Sequence, residues 1–137
     1  YVGGYSLRLV AVNRAPESAP ATFVVGDTVR GEAVLPAADI DEFTASATPG
    51  DALSAWFRLL ANPVPAGKMI TPQVVDPSTG AVLAGAMSLT APSQQFWSPG
   101  PFVVPASGTF LIRVRGGSAF SPDDATAPFE FYVRRGF

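Results

Sequence analysis

The sequence predicts an all-β protein, a β-sandwich or barrel of eight or nine short strands, and three observations lead to it. Fourteen prolines and thirteen glycines are spread along 137 residues, so no stripe of helical period continues beyond about two turns. Between these breakers, apolar and polar residues alternate in short runs, which is the pattern of a strand with one buried face. Turn signals recur at short intervals, as they do in sandwiches and barrels.

The predicted strands follow one another with a turn or a proline between them. Their runs are residues 5–9, 28–33, 40–47, 53–60, 73–76, 81–89, two short pieces within 96–104, 109–115 and 129–134. Pro77-Ser78-Thr79-Gly80 predicts the turn between the fifth and sixth runs. Residues 49–60 also fit a helix capped by Asp51. A helix would be isolated among sheet elements there, so strand is favoured.

Two stretches show no regular alternation of apolar and polar residues and are predicted to be a linker and a loop. Residues 13–21 are rich in proline, alanine and serine, and residues 116–128 form a long polar loop. We therefore divide the chain into a leading strand with its linker, residues 1–21, and a β-sandwich module, residues 22–137. The residues before the first predicted strand have neither a basic nor an apolar segment, so we expect no targeting peptide within this segment. We expect a module of a longer protein, with any localisation signal outside this segment.

Composition excludes several classes of function. The sequence has no histidine and no cysteine, which excludes a zinc site with those ligands, a thiol nucleophile, a disulfide and a Ser-His-Asp triad. A net charge of -2 argues against nucleic-acid binding by overall basicity. No apolar run approaches the roughly 18 residues that span a bilayer. Nothing singles out a pair of carboxylates for glycoside hydrolysis, so we expect no enzyme.

Four motifs, taken in order, resemble a known family. They are a Gly-x-x-x-x-Gly strand at 26–31, an Asp-x-Asp-x-Phe step at 39–43, a Ser-Gly-Thr-aromatic strand starting at Ser107, and an aromatic-rich strand at 129–133. Together they resemble the bacterial pre-peptidase C-terminal domain over residues 22–135. The resemblance implies a jelly-roll-like antiparallel β-sandwich that serves as a non-catalytic accessory or spacer module of a secreted or cell-surface bacterial protein. Its partners would then be adjacent domains of the parent chain.

The first predicted strand is similar to the last one, which raises the question of whether the chain contains part of a tandem repeat. The run at 5–9 is similar in pattern to the closing run at 129–134: each has an aromatic residue followed by alternating apolar and basic positions. In a tandem array, residues 5–12 would be the last strand of a preceding copy. One unit of an array and a single module both remain open.

Asp39, Asp41 and Glu42 form the candidate metal site. Ca²⁺ prefers several oxygen ligands, and an Asp-x-Asp step can place two carboxylates beside one ion. The continuation of an EF-hand loop is missing, because Phe43 and Thr44 follow. In the alternative, Asp39 caps its turn while Asp41 or Glu42 pairs with an arginine or faces water. No cofactor is expected except Ca²⁺ as a candidate, which would make the chain a calcium-stabilised adhesion domain.

Aromatic residues divide by the face of their strand. Trp56 and Tyr132 have polar neighbours on their face, and Trp97 adjoins a predicted loop. Exposed rings of this kind stack on sugars, so a carbohydrate- or polymer-binding module is the alternative function. Otherwise Trp56 covers a hydrophobic edge or meets a neighbouring domain, and Trp97 plugs one end of the sandwich. Aromatic residues that share the parity of aliphatic neighbours are predicted core: Phe57, Phe110, Phe129 and Phe131.

Arg113 and Arg134 are the remaining ligand-binding candidates. If they lie on neighbouring strands, one sheet presents a basic stripe that suits an acidic polysaccharide or an adjoining module. The alternative is a solvated face on which Glu32 or Glu130 pairs with the arginines, each pair contributing little.

Overall fold

The computed structural model describes residues 22–33, 40–59, 69–85, 89–90, 95–116 and 128–136. These residues form nine strands and no helix, and hence no helix with the length and hydropathy to cross a membrane. The strands are β1 (Thr28–Ala33), β2 (Ile40–Ser46), β3 (Ala52–Leu59), β4 (Met69–Val75), β5 (Val82–Ala84), β6 (Leu89–Thr90), β7 (Pro101–Val103), β8 (Thr109–Gly116) and β9 (Pro128–Arg135). The all-β prediction is confirmed, and the segment that also fitted a helix is strand β3.

The strands form two antiparallel sheets. One has the order β1-β9-β3-β7 and is called the β9 sheet below; the other, the β8 sheet, has the order β2-β8-β4-β5, with β6 also paired to β4. β5 and β6 pair with opposite ends of β4 and so share one strand position. Every connection crosses between the two sheets except the one from β4 to β5 and β6, which stays within the β8 sheet, and this is the connectivity of a jelly roll. The predicted jelly-roll-like sandwich is therefore confirmed.

The space between the sheets is filled by apolar side chains from alternate strand positions. All four phenylalanines predicted to be core are fully buried. Phe131 lies at the centre, with its ring centroid 5.1 Å from that of Phe43 and 5.8 Å from that of Phe57. Phe23, just before β1, adds an edge-on contact to Phe131 at 5.2 Å. The core is thus held by interlocking aromatic rings contributed by both sheets.

The predicted turn between β4 and β5 is present. The Gly80 N–H donates to the Asp76 carbonyl at 2.8 Å, and Gly80 has a φ of 75°. The backbone N–H and the hydroxyl of Ser78 donate to the Asp76 carboxylate at 2.9 and 2.7 Å. Because these bonds favour the charged carboxylate, they hold the pKa of Asp76 below its ordinary value. The side chain of Asp76 therefore serves the turn.

Some sequence predictions lie outside the described residues. These are the leading strand at 5–9, the linker at 13–21 and most of the loop at 116–128. The domain division between residues 21 and 22 and the tandem-array interpretation therefore stay predictions.

Candidate functional site

The outer face of the β9 sheet carries a row of aromatic and charged side chains. β3 and β9 are paired in register, so their outward positions lie opposite one another: Ser54 faces Arg134, Trp56 faces Tyr132, and Arg58 faces Glu130. Two further side chains join them, Phe96 from the segment before β7 and Arg30 from β1. The name aromatic–arginine face is used below for Arg30, Trp56, Arg58, Phe96, Glu130, Tyr132 and Arg134.

Three rings form the middle of this face. The planes of Trp56 and Tyr132 differ by 11°, and their centroids lie 6.5 Å apart. Phe96 meets Tyr132 edge-on, with centroids 4.9 Å apart. All three side chains are half-buried. Each ring therefore rests on the sheet or on its neighbour and keeps part of its surface in contact with solvent.

A guanidinium group lies over each end of the row of rings. Arg134 Cζ is 4.9 Å from the centroid of Trp56, and Arg58 Cζ is 4.8 Å from the centroid of Phe96. Both distances fall within the range of cation–π attraction. The planar guanidinium groups extend the flat aromatic surface and add hydrogen-bond donors at its two ends.

One buried carboxylate lies among these arginines. The Glu130 side chain is 7% exposed; it forms an ion pair with Arg58, and its Oε2 lies 3.9 Å from Nε of Arg30. Three guanidinium groups against one carboxylate leave two positive charges on the described side chains of this face. The whole chain has a net charge of -2. The face is therefore opposite in sign to the protein that carries it.

Ser54 orients the tryptophan from beneath. It is fully buried although it points to the outer face. Its hydroxyl donates to the Gly136 carbonyl at 2.6 Å and accepts the indole N–H of Trp56 at 2.9 Å. Since the only polar atom of the indole is bonded to the sheet in this way, the ring lies over the sheet surface.

The burial of Glu130 leads to a stability prediction. Glu130→Ala leaves the guanidinium of Arg58, which is about a third exposed, without its carboxylate, and is expected to lower the free energy of unfolding by about 1–2 kcal/mol. Glu42→Ala is the matched control, because it breaks the more exposed pair with Arg113 and is expected to cost about 1 kcal/mol or less. Urea unfolding measures both. Equal losses would contradict the importance assigned to burial.

Trp97 does not belong to the aromatic–arginine face. Its backbone forms a bridge with Phe57, with N–H to O distances of 2.7 and 2.8 Å in the two directions. Because Phe57 points inward, its bridge partner does too, and Trp97 packs against the core. The preceding residue, Phe96, takes the outward position. Two adjacent aromatic residues in an extended segment point to opposite faces. The pair Phe96-Trp97 therefore already indicates in the sequence that one of the two rings points outward.

The two predicted arginines lie in different sheets. Arg134 is on β9 of one sheet and Arg113 on β8 of the other, so they do not form one basic stripe. Arg113 instead pairs with Glu42 on the neighbouring strand β2, with Nε to Oε1 at 2.8 Å. Arg58 and Glu130 were not among the predicted site residues. Alternation in the sequence places both residues on the outer face of their strands, but their position beside the rings depends on the pairing of β3 with β9.

The predicted carboxylate cluster is divided by the strand it occupies. Asp41 and Glu42 are adjacent on β2 and therefore point to opposite faces. Asp41 is 1% exposed on the core side, while Glu42 is half-buried and pairs with Arg113. These two carboxylates thus do not face one ion, and Asp39 lies outside the described residues. Within the described ranges, no three acidic side chains are grouped as a metal site would need.

An open concavity of about 600 Å³ lies where the edge strands β5 and β7 approach each other. It is lined by Gln73, Val82, Leu83, Ala84, Gly85, Pro99, Gly100 and Pro101. The lining contains no ionisable side chain. The concavity offers shape and apolar surface but no acid, base or nucleophile.

Comparison with known proteins gives a likeness of fold. No family model matches the sequence, and no curated protein matches it. Among solved structures, the chain is similar to the pre-peptidase C-terminal domain of collagenase from Bacillus anthracis, with a TM-score of 0.50 and 16% identity over 88% of this chain and 99% of that one. At this identity the likeness concerns the fold. The resemblance inferred from the motifs is confirmed at that level: the chain has the fold of a pre-peptidase C-terminal domain.

Proposed function

We propose that the chain is a non-catalytic accessory module of a secreted or cell-surface bacterial protein. The proposal is supported by its fold, which it shares with a C-terminal domain of a collagenase. It is also supported by the densely packed core and by a concavity without ionisable lining. The described carboxylates of Glu42, Asp51 and Glu130 each pair with an arginine. That arrangement suits a rigid body more than a reaction centre.

The aromatic–arginine face favours a binding role over a purely spacing one. A spacer needs only rigidity and accessible ends, whereas this face holds three half-buried rings whose contacts fix their orientation. Burying the exposed part of such rings against a ligand contributes hydrophobic and stacking energy at little cost in side-chain entropy. The single observation that carries this function is the row formed by Trp56, Tyr132 and Phe96 on one sheet surface.

The shape of the face indicates an extended ligand. Small molecules are usually enclosed in clefts, but this surface follows the outer side of two long paired strands, β3 and β9. A polymer chain can contact successive rings along such a surface. We therefore propose that the module binds an extracellular polysaccharide or protein polymer and holds its parent protein there.

Sedimentation with insoluble polymers tests this function. Cellulose, chitin, xylan and fibrillar collagen are each mixed with the chain, and the bound fraction is measured. Trp56→Ala is expected to weaken binding of the retained polymer by about tenfold, the equivalent of 1.4 kcal/mol, since it removes one stacking ring. Val82→Ala is the control, because Val82 is exposed on β5 of the other sheet.

Tryptophan fluorescence identifies the surface involved. Ligand binding is expected to change the emission of Trp56 and to leave that of the inward-facing Trp97 unchanged. A response that persists in Trp56→Phe would place the ligand elsewhere. No retention by any polymer would overturn the binding role and leave the spacer alone.

A further inference from the structure

We propose that the aromatic–arginine face selects an anionic polysaccharide, one that carries a carboxylate or sulfate on its sugars. This inference rests on the polymer-binding function proposed above and names the class of polymer. The observation that carries it is the juxtaposition of two uncompensated positive charges with a row of rings. The positive charges favour an anion and the rings favour a sugar, so an anionic sugar polymer makes use of both features.

The local charge argues for an anion. Arg134 is exposed and lies over Trp56, and no carboxylate of the described residues pairs with it. Arg30 has 74% of its side chain exposed and lies 3.9 Å from Glu130, a carboxylate already engaged by Arg58. Guanidinium groups bind carboxylate and sulfate through paired N–H donors. An anion at this face therefore meets donors that the protein itself leaves available.

The positions of the arginines argue for a ligand with repeated charges. Along β9, Arg134 is four residues from Glu130, and Arg30 lies beside Glu130. At a rise of about 3.3 Å per residue, these positions are separated by about 13 Å. Trp56 and Tyr132 lie between them. A polymer of charged sugars places its rings over the aromatic side chains and its anionic groups at the two ends.

The partly buried rings argue for a sugar chain rather than a flexible acidic peptide. The apolar C–H faces of a pyranose match the flat surface of an aromatic ring, and rigid aromatic residues give contact area at little entropic cost. Nucleic acid is disfavoured because the chain as a whole has a net charge of -2. Acidic peptides and anionic lipid surfaces also carry negative charge, but they do not offer sugar faces that stack on the row of rings. Both are included in the test as competing classes of ligand.

The experiment compares two polymers that share one sugar backbone and differ in whether its carboxyl groups are charged. Polygalacturonate and its methyl ester have the same backbone, and binding of the whole chain to each is measured by titration calorimetry at low salt. We expect polygalacturonate to bind at least about tenfold more tightly, and to weaken as salt is raised, because the attraction between exposed charges is screened. Heparin, poly-glutamate and phosphatidylserine vesicles are titrated in parallel.

Two arginine variants test whether the preference for the charged polymer arises at the aromatic–arginine face. Arg134→Met keeps an apolar chain over Trp56 but removes the charge, and is expected to weaken polygalacturonate binding by about fivefold to tenfold and binding of the methyl ester much less. Arg113→Met removes an arginine from the other sheet and is expected to change neither. Urea unfolding of both variants separates a loss of binding from a loss of fold.

The outcomes separate this inference from the function on which it rests. Equal binding of polygalacturonate and its methyl ester would keep the polymer-binding function and overturn the preference for anions. Binding of neutral polymers alone would do the same. Binding of poly-glutamate or vesicles without polygalacturonate or heparin would overturn the assignment to a polysaccharide. No binding by any polymer would overturn both proposals.

Discussion

Phe131→Ala is expected to lower the free energy of unfolding by about 3–5 kcal/mol, the usual cost of removing a fully buried phenylalanine. Small domains are stable by only about 5–15 kcal/mol, so this one change is expected to leave the chain marginally folded. The reason lies in the position of the ring. Phe131 is fully buried on β9 and has ring contacts to Phe23, Phe43 and Phe57.

The effect is larger than the loss of one side chain from water, because the neighbours cannot close the space. Phe43 and Phe57 belong to different sheets and are held by their own strands. Residual cavity volume adds to the transfer free energy when the surrounding structure relaxes only in part. The cost therefore depends on the two sheets staying at their present separation.

Urea unfolding followed by tryptophan fluorescence measures this prediction. Phe131→Leu retains most of the volume and is expected to cost much less, about 1.5 kcal/mol or below. Val103→Ala is the surface control, since Val103 is 59% exposed, and should stay within about 0.5 kcal/mol of the parent chain. A cost for Phe131→Ala close to that of Val103→Ala would contradict the packing described for the core.

Gly108→Ala is expected to destabilise the chain more than Gly80→Ala, although the two glycines have nearly the same backbone conformation. Their φ values are 74° and 75°, a region in which a Cβ costs about 1–2 kcal/mol. At Gly80 the added Cβ has nothing within 4 Å, whereas at Gly108 it lies 3.1 Å from the carbonyl oxygen of Ala47. That oxygen belongs to the backbone just after β2 and cannot move without the chain on either side of it.

The backbone around Gly108 is tied on both sides. The Ala47 N–H donates to the Gly108 carbonyl at 2.9 Å, and the Gly108 N–H donates to the Pro105 carbonyl at 2.9 Å. Relieving the close contact therefore disturbs the turn that joins β7 to β8. We expect about 2–3 kcal/mol for Gly108→Ala against about 1–2 kcal/mol for Gly80→Ala. Urea midpoints of the two variants provide the comparison, and equal values would refute the role assigned to the Ala47 contact.

Gly108 also gives a physical meaning to one of the sequence motifs. The Ser-Gly-Thr-aromatic pattern that begins at Ser107 places a glycine where the chain requires a positive φ and where a neighbouring carbonyl lies close. Phe110, the aromatic residue of the motif, is fully buried. The pattern thus marks the start of β8 for steric reasons. Of the four motifs, this one has the most direct structural explanation.

The strands and the core were predictable because alternation is a local property. In the runs 43–47 and 129–134 the apolar residues share one parity, and in the structure that parity points inward in both. The same rule assigned Trp56 and Tyr132 to the outer face. Here the pattern sufficed, because successive side chains of a strand point in opposite directions regardless of which strands pair.

The composition of the site was not predictable in the same way. Alternation placed Arg113 and Arg134 on outward positions, but it carries no information about which sheet a strand joins. The step from β8 to β9 crosses between the two sheets, and this crossing separates the two arginines. The acidic step on β2 is a different case, because alternation along the strand by itself places Asp41 and Glu42 on opposite faces.

The sequence by itself determined the class of fold, the turn at Pro77–Gly80 and the inward phenylalanines, because each depends on residues near one another in the chain. Only the tertiary structure decided that Trp56, Tyr132 and Phe96 form one row with arginines at its ends. Phe96 is 36 residues from Tyr132 in the chain, and their centroids lie 4.9 Å apart. Such a contact depends on strand order and register, which are set by how the two sheets pack around their shared core.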